Sequence, residues 1–113
     1  MLRGGSVVLS GGSQVLDSAG AGISADGHGL VSLNNSTVMR SGEQGIRLYG
    51  VSQASISNSS KIVNNAGDGI EVQSGSHASI NNSEIAHNQT GIIVSGPSGA
   101  TIGGGNSIHH NRQ

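Results

Sequence analysis

A repeat of about 23 residues constrains the fold of this chain more than any other feature. The dipeptide Gly-Ile marks its phase, with separations of 23, 24 and 22 residues, at Gly22-Ile23, Gly45-Ile46, Gly69-Ile70 and Gly91-Ile92. Four apolar columns keep the same phase: Val7, Val31, Ala54, Ala78 and Ala100; Leu9, Leu33, Ile56, Ile80 and Ile102; Val15, Val38, Ile62, Ile85 and Ile108; and Ala25, Leu48, Val72 and Val94. Because units of this length bury their apolar sides against one another, the period predicts a solenoid.

Within each unit the residues alternate between apolar and polar, as in GIEV and ASIN, and the segments end in Gly, Ser or Asn. This alternation is typical of short β-strands, and no segment has a helical period. Three strands per unit, each stacked on its equivalent at about 4.8 Å, make a coil of parallel β-structure. Since parallel connections are right-handed, we predict an all-β fold, a right-handed single-stranded parallel β-helix of about four to five coils of 22–24 residues.

Composition limits the partners of such a fold. The chain has five Lys and Arg, six Asp and Glu, a net charge of -1 and one Tyr, with no Trp or Phe. This balance gives neither the basic surface nor the stacking rings that nucleic acid needs. No apolar run approaches the roughly 20 residues of a membrane helix, and the N-terminal apolar stretch is too short for a signal peptide. We therefore expect no nucleic acid, no membrane span, and export only as part of a longer chain.

Two stretches of the repeat, GIRLYGVSQASISNSSKIVNN and GIEVQSGSHASINNSEIAHN, resemble the coils of a known family. The family is that of right-handed parallel β-helix proteins, the pectate-lyase-like superfamily of polysaccharide-associated proteins and sugar hydrolases. The resemblance covers nearly the whole chain. It implies the fold and a connection with carbohydrate, whereas the shared pattern, being that of the core, specifies no activity.

Polar residues at fixed positions mark the corners of the predicted coils. Three residues after the third apolar column come Ser18, Ser41, Asn65, Asn88 and Asn111. We expect Asn65, Asn88 and Asn111 to form a ladder in which each side-chain amide bonds its neighbour and caps turn backbone groups. A second series, suited to left-handed turn dihedrals, consists of Asn35, Asn58 and Asn82. The glycines of the Gly-Ile pairs are expected at bends with unusual dihedral angles.

One short motif points to enzymatic chemistry. DGHGL at residues 26–30, followed by GIRLYG around Arg47, is similar to the Gly-His-Gly and Arg-Ile-Lys motifs of polygalacturonases. The resemblance implies His28 and Arg47 as the corresponding residues, with Arg47 binding a substrate carboxylate. The chain departs from that pattern, because Tyr49 replaces the Lys and the upstream aspartates are widely separated, whereas an inverting hydrolase needs two carboxyls about 6.5–9.5 Å apart. We favour a Gly-rich turn with an exposed His28.

The carboxylates favour ion pairs over a metal site. A calcium site needs clustered oxygen ligands, and the six carboxylates are scattered along the sequence. In the predicted register Glu71 lies one coil from Arg47. Glu84 lies likewise one coil from Lys61, so we expect two exposed ion pairs worth under about 1 kcal/mol each.

Two histidines are the remaining metal candidates. His87 and His110 fall in one column, so adjacent coils would bring them within reach of one transition metal. Two imidazoles without an acidic or thiolate partner are a weak ligand set. We favour a solvated corner and expect no cofactor.

The outward positions beside the second apolar column are regularly polar. One row is Ser32, Ser55, Ser79 and Thr101, and the other is Ser10, Asn34, Ser57 and Asn81. A flat lattice of hydroxyls and amides suits matched hydrogen bonding to a polysaccharide or to ice. A solvated sheet face is the simpler interpretation, because sugar sites usually add aromatic or charged anchors.

A further outward row follows the third apolar column and reads Leu16, Met39, Val63, Ala86 and His109. If the pleat alternates there, Leu16, Met39 and Val63 form an exposed apolar stripe that marks an interface. A corner that buries both neighbours would remove the stripe. Together with uncapped coils, which expose strand edges and core, the stripe predicts end-to-end or side-by-side self-association.

These features predict one β-helix domain over residues 1–113, with a partial segment at 1–6, as a fragment of a longer solenoid. The coils are uniform, whereas active sites on repeat scaffolds need irregular loops. We therefore expect a structural or carbohydrate-facing module of a secreted or cell-surface protein. The alternative is the partial core of a polysaccharide lyase, hydrolase or uronate epimerase whose catalytic residues lie elsewhere, and a third possibility is an ice-binding lattice.

Overall fold

The chain winds into a parallel β-helix, as the repeat predicts. The computed structural model describes residues 2, 3, 5–109 and 111, and their strands form three sheets of five strands each. Every strand pairs in parallel with the equivalent strand of the next coil, so that Ile56, for example, lies opposite Leu33 on one side and Ile80 on the other. The columns of the sequence are therefore columns in space.

Each sheet takes every third strand. Sheet A contains β1 (Leu2–Arg3), β4 (Ile23–Asp26), β7 (Ile46–Leu48), β10 (Ile70–Val72) and β13 (Ile92–Val94). Sheet B contains β2 (Ser6–Leu9), β5 (Leu30–Asn34), β8 (Gln53–Ser57), β11 (His77–Ile80) and β14 (Gly99–Ile102). Sheet C contains β3 (Gln14–Leu16), β6 (Thr37–Met39), β9 (Lys61–Val63), β12 (Glu84–Ala86) and β15 (Ser107–His109). Within the described ranges no helix is long and apolar enough to cross a membrane.

The predicted apolar columns form the core between the three sheets. In the middle coils their side chains are fully covered, and Leu33, Ile62 and Ile80 are each 0% exposed. The corresponding Ile102 and Ile108 of the last coil are 51% and 42% exposed, because β14 and β15 are edge strands of their sheets. Burial therefore depends on having a coil on both sides.

At the corner between sheets C and A, asparagine side chains accept backbone N–H groups from the preceding coil. The Asn65 N–H donates to Asn88 Oδ1 at 3.1 Å, and the Asn88 N–H donates to Asn111 Oδ1 at 3.0 Å. The side-chain amides also bond one another, since Asn65 Nδ2 donates to Asn88 Oδ1 at 2.8 Å. Backbone groups that the bend takes out of the strand ladder thus keep a partner inside the coil.

At the other two corners serine side chains accept the backbone N–H groups. The repeat alone does not identify these serines as corner residues. Between sheets B and C, the Ser36 N–H donates to Ser60 Oγ at 3.2 Å. Between sheets A and B, the Gly29 N–H donates to Ser52 Oγ at 3.1 Å and the Ser52 N–H to Ser76 Oγ at 3.0 Å. At each corner the N–H of one coil meets a side-chain oxygen of the coil that follows it in sequence.

Left-handed turn residues lie beside these corners. The expectation for the second asparagine series is confirmed, because φ is 52°, 55° and 49° at Asn35, Asn58 and Asn82. Asn tolerates this region better than other non-glycine residues. Val51 also has a positive φ, of 62°, which is unfavourable for a β-branched side chain.

Glycine is required in the Gly-Ile pairs because the neighbouring coil leaves no room for a Cβ. This corrects the expectation that these glycines adopt unusual dihedral angles. Positive φ is found at other glycines and not at Gly22, Gly45, Gly69 or Gly91. A Cβ on Gly69 would lie 2.6 Å from the Gly91 carbonyl oxygen and 2.8 Å from Asn88 Nδ2. Neighbouring coils therefore approach so closely that only a hydrogen atom fits between them.

Replacing Asn88 by alanine is expected to lower the free energy of unfolding by about 3 kcal/mol. The change removes the acceptor of Asn65 N–H and Nδ2 and the donor to the Ile62 carbonyl, and each buried group left unpaired costs about 1–3 kcal/mol. Urea unfolding followed by circular dichroism measures the loss. The control is Asn81→Ala, since Asn81 is exposed and a change within about 0.5 kcal/mol is expected there. Equal losses in both variants would contradict the role of Asn88.

Gly69→Ala is expected to destabilise the protein by about 2–3 kcal/mol or more, because the added methyl group overlaps backbone that cannot move without opening the coil stack. Gly104→Ala is the matched control, since a Cβ there meets nothing within 4 Å. The control should be neutral or more stable by about 0.4–1 kcal/mol. Thermal unfolding of both variants measures the difference, and a Gly69→Ala protein as stable as the parent would refute the steric role of Gly69.

Candidate functional site

The outer face of sheet B carries the predicted lattice of small polar side chains. Its central row, one residue per coil and in register, is Ser32, Ser55, Ser79 and Thr101. Ser55 and Thr101 are exposed, and Ser32 and Ser79 are half-buried. With about 4.8 Å between strands, the four hydroxyls span about 14 Å along the axis.

A second row of larger side chains lies two residues before the central one. It consists of Leu30, Gln53 and His77, which are in register with one another and exposed. His77 Nε2 lies 2.9 Å from Thr101 Oγ1, so this row also contacts the central one. Strict alternation along each strand of the sequence would have predicted that these residues face outward, because positions i and i+2 share a face.

A shallow groove of about 360 Å³ lies along these two rows. Leu30, Gln53 and His77 stand along its side, and Ser32 and Ser55 are among the residues that line it. At its N-terminal end Val8 replaces the hydroxyl that the pattern would place there. Val8 is 70% exposed and Leu30 is 50% exposed, so one end of the groove is apolar and the other is polar.

The third row, on the other side of the central one, is less regular than the sequence suggests. It contains Ser10, Asn34, Ser57 and Asn81 on successive coils. The next coil has Gly103 at this position, where a Cβ would lie only 1.7 Å from Asn81 Oδ1. The Asn81 side chain thus covers the following coil, and the row ends there.

The two catalytic candidates lie on different elements. His28 is an exposed residue of the turn between β4 and β5, with φ of 67°, and its N–H donates to the Gly50 carbonyl at 2.9 Å. Arg47 lies on β7, on the outer face of sheet A, with its Nε 3.7 Å from Glu71 Oε1. No hydrogen bond or ion pair joins the side chains of His28 and Arg47, both of which the structure describes.

One of the two predicted ion pairs forms. Arg47 and Glu71 are in register and paired, as expected. The expected pair of Lys61 and Glu84 is wrong, because Glu84 Oε2 instead lies 2.9 Å from His109 Nε2. Lys61 and Glu84 are in register, but an exposed pair of long side chains gains little from closing, and no ion pair between them occurs among the described residues.

The column that contains His87 is an exposed corner. Its members have φ between 55° and 58°, which places Asp17, Arg40, Asn64 and His87 in the left-handed region. The His87 ring packs edge-on against that of His109, with centroids 5.8 Å apart. His110, the other metal candidate, lies outside the described residues. Among those that are described, no group of three or more His, Asp or Glu is arranged to hold a metal ion.

The predicted apolar stripe is exposed only in the first coils. Leu16 is 38% exposed and Met39 is half-buried, whereas Val63 is 8% exposed and Ala86 is fully covered. The chain bends directly after this row, at the left-handed corner. Val63 and Ala86 therefore follow the alternative expectation, in which the corner buries these residues and removes the stripe. Self-association stays a prediction.

Arg40 and Asp17 form a bidentate ion pair at this corner. Arg40 Nε lies 2.7 Å from Asp17 Oδ1, and Arg40 Nη2 lies 3.2 Å from Asp17 Oδ2. The hydrogen bond from Arg40, assisted by its charge, holds the pKa of Asp17 below its usual range. The same contacts raise the pKa of Arg40.

Comparison with known proteins agrees with the architecture. A family model described as the right-handed beta helix region matches residues 21–113. No curated protein and no solved structure matches the chain. The matched range begins just before β4 and includes most of the outer face of sheet B, and it confirms the predicted right-handed parallel β-helix.

Asp17 is expected to titrate at lower pH than an ordinary aspartate. Because its folded-state pKa is lowered, the contribution of the pair to stability is present above the unfolded-state pKa and is lost as pH falls through the folded-state value. Arg40→Gln should return the pKa of Asp17 toward about 3.9, as measured by carboxyl-carbon NMR. Arg47→Gln, which removes the partner of Glu71, is the control and should leave Asp17 unchanged. An Asp17 pKa that is insensitive to Arg40→Gln would contradict the assignment.

Proposed function

Because the chain belongs to the right-handed β-helix family, we propose that it is a rigid repeat module that presents the outer face of sheet B to a polysaccharide. The observation that carries this proposal is the groove beside the hydroxyl row of Ser32, Ser55 and Ser79. An extended polymer meets the same chemistry on each successive coil there. Such a module belongs to a secreted or cell-surface protein.

The chemistry of the groove suits a sugar chain. Sugar rings have apolar C–H faces and polar edges, and the groove offers Leu30 and Val8 for the former and Gln53, His77 and Ser55 for the latter. The strand ladder fixes the spacing of these groups before any ligand arrives. Binding to such a preformed surface loses less conformational freedom than binding to a mobile loop.

The lining of the groove supports binding rather than hydrolysis. Glycoside hydrolysis uses a pair of carboxyl groups on either side of the bond. The described residues that line the groove include serines, Gln53 and His77 but no Asp or Glu. The short turns that join the described strands supply no long loop that would bring a carboxylate over the groove.

Ser55→Lys and Ser79→Lys are expected to abolish polysaccharide binding or weaken it at least about tenfold, because each long charged side chain fills the narrow row and loses hydration when a ligand covers it. A glycan array, followed by affinity electrophoresis with the glycans that bind, measures the effect. Thr37→Lys is the matched control, since Thr37 faces outward on sheet C. Binding that is unchanged in both serine variants, or a parent protein that binds no glycan, would overturn the proposal.

A further inference from the structure

The outer face of sheet A differs in chemistry from that of sheet B. It carries Tyr49, the only Tyr of a chain without Trp or Phe. It also carries Arg47 and Glu71, which are in register on adjacent coils. The outer face of sheet A therefore has the aromatic and charged side chains that the small polar rows of sheet B lack.

Glu71 is the centre of a hydrogen-bonded cluster on this face. Gln44 Nε2 donates to Glu71 Oε2 at 2.9 Å, and Gln73 Nε2 donates to Glu71 Oε1. Arg47 Nε lies 3.7 Å from the same Oε1. The Glu71 side chain is only 20% exposed, so the carboxylate is held within the surface by side chains from two coils.

Arg47 is fixed by contacts on two sides and keeps unused donors. Its Cζ lies 4.9 Å from the centroid of the Tyr49 ring, a cation–π contact, and its Nε faces Glu71. The side chain is 41% exposed, and its terminal Nη groups have no protein partner among the described residues. Gln44 Oε1 also lacks a hydrogen-bond partner among the described residues, but this atom is buried, and the Gln44 amide acts by holding Glu71 through its Nε2. A fixed guanidinium thus presents unused hydrogen-bond donors at the surface, beside the Glu71 carboxylate.

The charge balance of the cluster favours a neutral ligand. The charges of Arg47 and Glu71 compensate each other. Asp68, which precedes Gly69 as Gln44 precedes Gly45 in the coil before, adds a negative charge nearby. An acidic polymer would meet no net positive field here, whereas a polyhydroxylated neutral one meets donors and acceptors together.

The geometry of the polar groups suits a sugar. Carboxylate, amide and guanidinium groups each present two polar atoms in one plane, a pattern that matches two adjacent hydroxyl groups. Ile93 follows Glu71 in register on the next coil and is 42% exposed. It offers an apolar contact to the C–H face of a ring beside the polar cluster.

We propose that the outer face of sheet A holds a second carbohydrate site, for a neutral polysaccharide, built from Arg47, Glu71 and Ile93, with Gln44 positioning the Glu71 carboxylate. The two Nη groups of Arg47 bond adjacent hydroxyls of one sugar residue, and Ile93 contacts the ring of the next. The site does not depend on the sheet B groove, and either can exist without the other.

Tyr49 provides a direct test, because it is the only tyrosine in a chain without tryptophan and lies under Arg47. The protein is titrated with soluble galactomannan, arabinoxylan and β-glucan, with polygalacturonate as the acidic probe, while tyrosine emission is recorded. A saturable change with at least one neutral polymer is expected. In Arg47→Gln and Glu71→Gln the apparent affinity, measured from the Tyr49 response, should fall at least about tenfold, since each variant loses charge-assisted hydrogen bonding.

Three further variants distinguish binding at this site from binding elsewhere on the surface. Arg40→Gln removes an equally accessible arginine from a different corner and should leave the affinity unchanged. Ser55→Lys alters the sheet B face and should leave the Tyr49 response intact, so failure of one site is distinguishable from failure of the other. Ile93→Ser, which breaks no hydrogen bond of the cluster, should also weaken binding about tenfold, and it keeps the test valid if a cluster variant unfolds.

Several results would overturn the proposal. One is a Tyr49 emission that no polymer changes. Another is a saturable Tyr49 response that survives Arg47→Gln, Glu71→Gln and Ile93→Ser in proteins whose circular dichroism matches that of the parent. A response to polygalacturonate alone, lost in Arg47→Gln, would assign an anion site instead of a neutral sugar site.

Discussion

The fold depends on hydrogen bonds that run from the corner of one coil to the corner of the next. A backbone N–H at each bend has left the strand ladder, and it is accepted by a side-chain oxygen such as Asn88 Oδ1 or Ser76 Oγ. These acceptors point inward and are buried, so a slipped register would leave several polar groups unpaired at once. The apolar columns supply most of the buried surface, while the corner hydrogen bonds and the close glycine contacts decide which residues lie above one another.

A fixed register determines what the outer surface can offer. Each outward row repeats at the strand spacing of about 4.8 Å, so residues 22 to 24 apart in sequence become neighbours. On sheet B this produces the small hydroxyl row of Ser32, Ser55 and Ser79, and on sheet A it brings Arg47 beside Glu71. The same scaffold thus carries one face suited to repeated contacts along a polymer and one face with a single, concentrated cluster.

The repeat predicted the core columns, the central hydroxyl row of sheet B and the pairing of Arg47 with Glu71, because all three follow from phase alone. Apart from the left-handed residues Asn35, Asn58 and Asn82, the repeat did not predict the conformation of the corners. Whether Val63 faces outward depends on the left-handed residue that follows it. Serine occurs both inside and outside this β-helix, so residue type alone does not reveal the inward role of Ser60. Glycine is needed at position 69 because neighbouring coils lie so close together there. A pattern of residue types does not contain the distance between coils.

The sheet A cluster illustrates where function can be found on such a repeat. Inward positions are dictated by packing, so their regularity says nothing about ligands. Outward positions are not constrained by packing in the core. A departure from the small polar pattern at an outward position therefore has a cause other than core packing. Gln44 and Glu71 are 27 residues apart and belong to different columns, yet they share a hydrogen bond because the corner before β7 directs the Gln44 side chain toward the following coil. A large polar side chain that crosses columns in this way links two coils outside the core, and here it helps to hold the Glu71 carboxylate beside Arg47.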